Sequence, residues 1–195
     1  MATRKGPRFK ESRRLGVNVC GHPKAMNRAV SNRFGRKPSE YKIQLTEKQK
    51  IKAYYGILEK QMVRYFERAA RSVEPTGHKM LFILESRLDN MVYRIGFARS
   101  IRMARQMVTH GHILVNGKRI NIPSYELKPG DKIELKEDSR SNEAFRINFQ
   151  DLGGFDVPYL SKDKEQFSAV YLREPERDEL PIEVEEQNVV EFYSR

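Results

Sequence analysis

Cysteine is almost absent from this sequence, in which Cys20 is the only one among 195 residues. A disulfide framework within the chain is therefore excluded, and a reducing cytosol is the favoured compartment. Long apolar runs are also missing, since no stretch of about 18 apolar residues is available to span a bilayer. The opening residues, MATRKGPR, lack the apolar core of a signal peptide. We therefore expect a cytoplasmic protein with no membrane partner.

The motifs of enzymes and metal sites are missing too. The glycines form neither a Walker-type loop nor a G-x-G-x-x-G array, and no serine stands in a recognisable nucleophile context. Cys20 and His22 offer two soft ligands, but a structural zinc site needs four, and His78, His110 and His112 lie far along the chain. We expect no catalytic residue, no cofactor, no small-molecule substrate and no metal.

Basic residues are abundant and unevenly placed. Lys and Arg number 37 against 26 Asp and Glu, for a net charge of +11. Residues 1–80 carry a net +14, residues 81–136 a net +5 and residues 137–195 a net −8. A nucleic acid is the simplest partner for such a chain, and a membrane surface is the rival. The acidic end must face away, contact a basic protein or pack on the protein's own basic part.

Residues 1–38 are predicted to form an extended basic arm. They hold 11 basic residues against one acid, Glu11. Such a segment cannot bury enough apolar surface to offset its ordering entropy alone. It either becomes ordered on a nucleic acid, which we favour, or remains a solubilising tail. Its candidate RNA-binding residues are Arg4, Lys5, Arg8, Arg13 and Arg14.

A helical domain is predicted over residues 39–80. Thr46–Gln49 fits a capping box, and the apolar residues that follow recur at helical spacing. Gly56 marks a break between two helices. The apolar stripe is expected to be core, although Tyr54 or Tyr65 could instead stack on bases. Candidate RNA contacts in this domain are Lys48, Lys50 and Tyr55.

The centre of the chain predicts two helices followed by a small antiparallel sheet. One helix is expected from about Lys79 to Arg94, and Gly96 ends it. The polar residues expected around its outside are Arg87, Asp89, Asn90 and Arg94. Ser100 is a good N-cap for a short basic helix over residues 101–108. Asn116-Gly117 predicts a hairpin, because both turn residues need positive φ. Residues 132–136 alternate polar and apolar, which predicts a further strand.

The last third of the sequence is harder to interpret. Ser141 could cap a short helix that runs through Phe149. The acidic stretch over residues 181–193 is expected to return and pack on the basic N-terminal helices.

The site that we favour is the basic surface around the short helix and the hairpin. A helix N-terminus carries unpaired N–H groups and a partial positive charge, both suited to phosphate. A shallow basic surface suits folded RNA, whose phosphates and 2′-hydroxyls are accessible. The alternatives are a solvated basic helix face and, for the two histidines, simple capping of the helix end. The candidate RNA-binding residues are Arg87, Arg99, Ser100, Arg102, Arg105, Gln106, His110, His112, Asn116, Lys118 and Arg119.

Several motifs resemble the bacterial family of small-subunit ribosomal protein four. In the centre they are LDNMVYR at 88–94, GFARS at 96–100, ARQ at 104–106 and HGHILVNGK at 110–118. SEY at 39–41, EKQK at 47–50, PER at 175–177 and VEFYS at 190–194 agree with them. The central unit also occurs in RNA-modifying and tRNA-charging enzymes, but this chain has no room for their catalytic domains.

Pattern and resemblance together imply an α+β fold. A basic arm over residues 1–38 is followed by a helical domain at 39–80, which residues from about 170 to 195 complete. Residues 81–169 form an inserted RNA-binding domain of two helices and an antiparallel sheet, with its core unit at 81–136.

The resemblance further implies a structural role in the small ribosomal subunit. The expected partners are 16S ribosomal RNA, bound early in assembly at a multi-helix junction of its 5′ domain, and ribosomal protein five, through a surface linked to decoding accuracy. Messenger RNA is a third expected partner, bound at the entry channel that Arg36 and Lys37 are expected to line. A free translational repressor is the alternative reading.

One departure from the family concerns metal. Many relatives hold a metal in the N-terminal arm with four cysteines, the first two near positions 9 and 12. Phe9 and Ser12 stand there in this chain, which retains only Cys20. We therefore predict the metal-free form, with an arm ordered by RNA contacts.

Overall fold

The computed structural model describes residues 6–28, 38–152 and 154–194, without the side chains of residues 151 and 152. The chain divides into two compact units, Met1–Leu81 with Pro181–Arg195 and Phe82–Leu180. Helices and an antiparallel sheet together confirm the predicted α+β class. None of the helices in the described part of the chain has both the length and the apolar character that a membrane span requires.

The described residues of the first unit form helices and turns. Its helices are α1 (Arg8–Leu15), α2 (Glu40–Tyr54), α3 (Glu59–Ala69), the first part of α4 (Thr76–Glu85) and α9 (Glu186–Tyr193). Gly56, with a φ of 61°, separates α2 from α3 as predicted. The predicted capping box is wrong, because Ser39 caps α2 and accepts from the Lys42 backbone N–H at 3.4 Å. Thr46 lies inside that helix, where its hydroxyl donates to the Lys42 carbonyl at 2.7 Å.

Part of the predicted arm is folded. Residues 8–15 form α1, and Pro23–Met26 form a 3₁₀ turn. Leu15 and Val19 are buried in a small cluster with Ala53 of α2. The prediction of an extended arm is therefore wrong for residues 8–28, because its few apolar side chains suffice to pack on α2.

The acidic C-terminal segment returns to α2, as predicted. The Gln44 amide donates to the Glu191 carboxylate at 2.9 Å. The Glu185 backbone N–H donates to a carboxylate oxygen of Glu47 at 3.0 Å. These bonds fasten the C-terminal segment to one helix of the basic half.

The second unit contains the sheet and the remaining helices. The helices are α5 (Leu88–Ile95), α6 (Ile101–Thr109), α7 (Glu137–Arg140) and α8 (Glu143–Arg146); the strands are β1 (Ile113–Val115), β2 (Lys118–Arg119), β3 (Lys132–Leu135), β4 (Leu160–Asp163) and β5 (Ser168–Tyr171). The strands pair antiparallel in the order β2-β1-β3-β5-β4. Ile113 faces Leu135 and Val115 faces Ile133, and all four are buried with the apolar sides of α5 and α6.

The single helix predicted from Lys79 to Arg94 is two helices. α4 ends at Glu85 and α5 begins at Leu88, with Arg87 in an extended conformation between them. The backbone N–H of Leu88 donates to the Tyr125 carbonyl at 2.8 Å, a partner outside the helix. The sequence pattern does not indicate this break, because the helical spacing of the apolar residues continues across it.

The prediction of a single helix from Ser141 to Phe149 is also wrong. α8 spans Glu143–Arg146, and Asn142 is its cap, accepting from the Ala144 backbone N–H at 3.0 Å. A π-helical turn, Ile147–Leu152, follows it. β4 and β5 were not predicted.

Candidate nucleic-acid interface

α6 presents a polar outer side because its inner side is core. Ser100 caps it as predicted, since its hydroxyl accepts from the Met103 backbone N–H at 3.3 Å. Ala104, Met107 and Val108 are buried. Arg99, Arg102, Gln106 and His110 are exposed, and Ser100 and Arg105 are half-buried.

The hairpin β1–β2 adds two more cations. Asn116 and Gly117 have φ values of 50° and 75°, as an Asn-Gly turn requires. Lys118 and Arg119, which follow directly, are exposed. The Asn116 side chain is engaged with the protein, donating to the Asp131 carboxylate at 2.8 Å and accepting from the Lys132 backbone N–H at 2.9 Å. Its role is therefore to fasten the turn.

Arg119 joins the hairpin to the end of α6. Its Nη2 donates to the His110 carbonyl at 3.3 Å. Its side chain lies against Gly111, where a Cβ would stand 2.0 Å from Arg119 Nε, and Gly111 has a φ of 75°. Glycine is favoured at this position because of the positive φ, and a side chain here would also displace the flexible end of Arg119.

A polar cavity of about 440 Å³ opens beside this contact. Its lining includes His110, His112, Arg119, Lys136, Ser139 and Asn142. Asp138 also lines the cavity and is ion-paired with Lys136, whereas the cationic Arg119 and the hydroxyl of Ser139 suit an anion such as a phosphate.

His112 lines this cavity. Its Nδ1 lies 2.9 Å from the Ser139 hydroxyl. Burial lowers the pKa of His112 below its ordinary 6.5, and the charges of His110, Arg119 and Lys136 lower that pKa further. The ring is therefore a hydrogen-bonding group at neutral pH, and an arriving anion would favour its protonation.

Arg87, Asp89, Asn90 and Arg94, which we expected around the outside of a helix, are all buried. Arg87 donates to both oxygens of Asp89 at 3.0 and 2.7 Å. Arg105 donates to one of them through Nε and Nη2, at 2.9 and 2.6 Å. We therefore leave Arg87 out of the candidate surface. Asp89, which the sequence analysis missed as a site residue, is the anchor of Arg105.

Arg94 belongs to a second buried network. Its Nε donates to Glu85 at 2.6 Å, and the Tyr159 hydroxyl donates to the same carboxylate oxygen at 2.8 Å. Burial raises the pKa of Tyr159, and the charge of Glu85 raises it further. This network holds α4, α5 and the segment before β4 together.

Arg99 is held by a residue that the sequence analysis did not single out. Its Nε donates to the Asn148 side-chain oxygen at 2.5 Å, and the Asn148 amide donates to the Phe97 carbonyl at 3.3 Å. Asn148 is 2% exposed. No local pattern signals this pairing, because the partners lie 49 residues apart.

The candidates of the first unit are less accessible. Lys48 and Tyr55 are buried, and Lys50 is half-buried and paired with Glu47 at 2.7 Å. We therefore leave Lys48 and Tyr55 out of the candidate surface as well. Arg14 is exposed, and Arg8 and Arg13 are half-buried. Arg4, Lys5, Arg36 and Lys37 lie outside the described residues.

Comparison with known proteins agrees with this arrangement. A family model described as the S4 domain matches residues 86–133, which contain α5, α6 and the hairpin. A second model, described as the ribosomal protein S4/S9 N-terminal domain, matches residues 3–85. The chain is 53% identical to small ribosomal subunit protein uS4 of Finegoldia magna, and the alignment covers 100% of both proteins.

The chain belongs to the family of small ribosomal subunit protein uS4. The uS4B protein of Clostridium acetobutylicum is 49% identical, and the uS4 protein of a Geobacillus species is 47% identical, each over 100% of both chains. The resemblance inferred from the motifs is therefore confirmed. Members of this family are structural RNA-binding proteins, which confirms that the chain is not an enzyme.

Proposed function

We propose that the chain binds RNA of the small ribosomal subunit directly, through a surface that we call the α6 face. It consists of the exposed side chains of Arg99, Arg102, Gln106, His110, Lys118 and Arg119. The observation that carries the proposal is that α6 and the hairpin present these groups together while their other sides are buried in one core. Contacts of this kind position a nucleic acid by its phosphates and riboses.

The finer parts of the proposal rest on family membership. They are binding of 16S ribosomal RNA at a multi-helix junction of the 5′ domain, early assembly of the subunit body, contact with ribosomal protein five in support of accuracy, and a place at the messenger RNA entry channel. The exposed Arg14 and the net charge of +14 over residues 1–80 support an RNA contact by the N-terminal part of the chain as well.

Sedimentation distinguishes a ribosomal protein from a free translational repressor. We expect the chain to co-sediment with small subunits in a high-salt gradient. A pool found only at the top of that gradient would exclude the structural role and leave the repressor.

The α6 face is tested by the salt dependence of RNA binding. Arg102→Ala should weaken binding to a small-subunit RNA transcript and flatten the slope of log affinity against log salt by about 0.7–0.9, because one phosphate contact is lost. Arg173→Ala is the matched control, since Arg173 is exposed and bonded to Glu179 at 2.8 Å. If Arg102→Ala leaves the slope unchanged, Arg102 makes no phosphate contact and does not belong to the α6 face.

A further inference from the structure

A second cavity lies between α6 and α8, and we propose that it receives one unpaired nucleobase of the bound RNA. The Arg99 guanidinium would pack against the plane of that base. The inference rests on the proposed function, because the base belongs to the same RNA that the α6 face binds.

The cavity has the size and the walls of a site for a flat ring. Its volume is about 540 Å³, within the range of roughly 300–1,000 Å³ that is usual for small ligands. It is lined by Arg99, Met103, Glu143, Ala144, Ile147 and Asn148. Apolar atoms make up most of the walls, so the cavity favours a poorly hydrated ring over a phosphate.

The charges around the cavity favour a base for a second reason. Glu143 at its edge repels a phosphate, and its carboxylate can accept from the amino group of a base. The other charged group is Arg99, whose planar guanidinium stacks well on an aromatic ring. A base that is still paired in a duplex presents only its edge, so the occupant must come from a loop, a bulge or another unpaired segment.

Asn148 positions Arg99 for this contact. It is almost fully buried and contacts the Phe97 carbonyl at 3.3 Å and the Met103 sulfur at 3.9 Å. Its side-chain oxygen accepts from Arg99 Nε at 2.5 Å. This bond lies in the guanidinium plane, so it restricts the plane's orientation without covering its flat faces. A long exposed arginine would otherwise lose considerable side-chain entropy on binding.

Four of the six residues that line the cavity lie beyond the part of the chain that the S4 domain model matches. That match ends at residue 133, whereas α8 and the π-helical turn begin at Glu143 and Ile147. π-helical turns occur often at functional sites. The cavity therefore extends the α6 face on its Arg99 side with residues from a different segment of the chain.

Filling the cavity tests the proposal. Ala144 is exposed and lines the cavity, so Ala144→Trp places an indole there without opening the core. We expect it to weaken binding of a small-subunit RNA transcript about tenfold, which is the scale of losing one stacked base. The salt slope should stay unchanged, because no phosphate contact is lost. Ala70→Trp, at an exposed alanine that does not line the cavity, should bind like the wild type.

A conservative substitution of Arg99 gives a second test of the proposal. Arg99→Lys keeps the charge but loses the planar group and the bond from Nε. We expect weaker binding with an unchanged salt slope, in contrast to the flatter slope of Arg102→Ala. If the wild type binds RNA and both Ala144→Trp and Arg99→Lys bind equally well, the cavity proposal is overturned and RNA binding stands. If the wild type does not bind, the proposed function itself fails.

Cross-linking identifies the occupant independently of these variants. Glu143→p-benzoylphenylalanine places a photoreactive group at the exposed edge of the cavity in assembled small subunits. We expect a cross-link to an unpaired nucleotide. A cross-link to a base-paired nucleotide, a cross-link to a protein side chain, or no RNA cross-link at all would overturn the proposal.

Discussion

At the scale of single residues, Asp89 illustrates how one buried carboxylate joins the start of α5 to α6. It is fully buried and accepts hydrogen bonds from Arg87, which is also buried, and from Arg105, which reaches the half-exposed side of α6. An unpaired charge in such a place would be costly, whereas hydrogen bonds from two arginines satisfy both carboxylate oxygens. Arg105 is therefore held by Asp89 and is not among the exposed groups of the α6 face.

Asp89→Asn tests this role. The change removes the negative charge to which Arg87 and Arg105 both donate, and we expect the free energy of unfolding to fall by about 3–5 kcal/mol. Urea denaturation of the full chain measures this loss. Asp138→Asn is the control, because Asp138 is exposed and its partner Lys136 is at the surface; its unfolding midpoint should not change. Equal midpoints for the two variants would show that Asp89 does not stabilise the fold.

At the scale of elements, Glu59 connects three helices of the first unit. Lys48 and Lys52 of α2 donate to its carboxylate at 3.0 and 2.6 Å, and the Tyr193 hydroxyl of α9 donates at 2.9 Å. Burial alone would raise the pKa of Glu59, but the hydrogen bonds from Lys52, Lys48 and Tyr193 outweigh it and lower this pKa to about 2.

The lowered pKa predicts an acid-dependent loss of stability. Because the folded pKa of Glu59 lies below its ordinary 4.5, the stabilisation is fully present above pH 4.5 and is lost as the pH falls towards 2. Glu59→Gln should remove that part of the pH dependence, as measured by urea midpoints across this window. Glu67→Gln, at an exposed position of the same helix, should leave it intact. The prediction fails if the two variants titrate alike.

Elements with local determinants were predictable from the sequence, and those with distant determinants were not. The end of α5, the start of α6 and the hairpin turn are each determined by residues at that position, namely Gly96, Ser100 and Asn116-Gly117. These features could therefore be predicted from the local sequence. The break before α5 depends on a bond from Leu88 to the distant Tyr125, and β5 exists because it pairs with β3. The same division applies to the site. The outer side of α6 follows from helical spacing, but Asn148 and Asp89 act through tertiary contacts.

At the scale of the whole molecule, the first and last parts of the chain share one unit. Pro181–Arg195 belongs with Met1–Leu81, and the intervening residues form the other unit. The acidic C-terminal segment thus lies in the same unit as the basic half of the sequence, joined to it by the Glu191 carboxylate, which accepts from Gln44, and by the Glu185 backbone N–H, which donates to Glu47.

A truncation after Leu180 tests how far the units depend on each other. Loss of α9 should speed amide hydrogen exchange in α2 and α3, because their bonds to the C-terminal segment disappear. Exchange in β1, β3 and β5 should remain as in the full chain. Faster exchange in the sheet would mean that the second unit depends on the C-terminal segment.

The locked turn at Asn116 has a consequence for the lifetime of the protein. An asparagine followed by glycine is prone to deamidation, in which the next backbone nitrogen attacks the side-chain carbonyl carbon. Here that carbonyl accepts a bond from the Lys132 backbone and the amide donates to Asp131, so the side chain is held away from its own backbone. The native hairpin therefore protects itself from chemical ageing at the residue pair that forms its turn, and an unfolded or newly made chain lacks this protection.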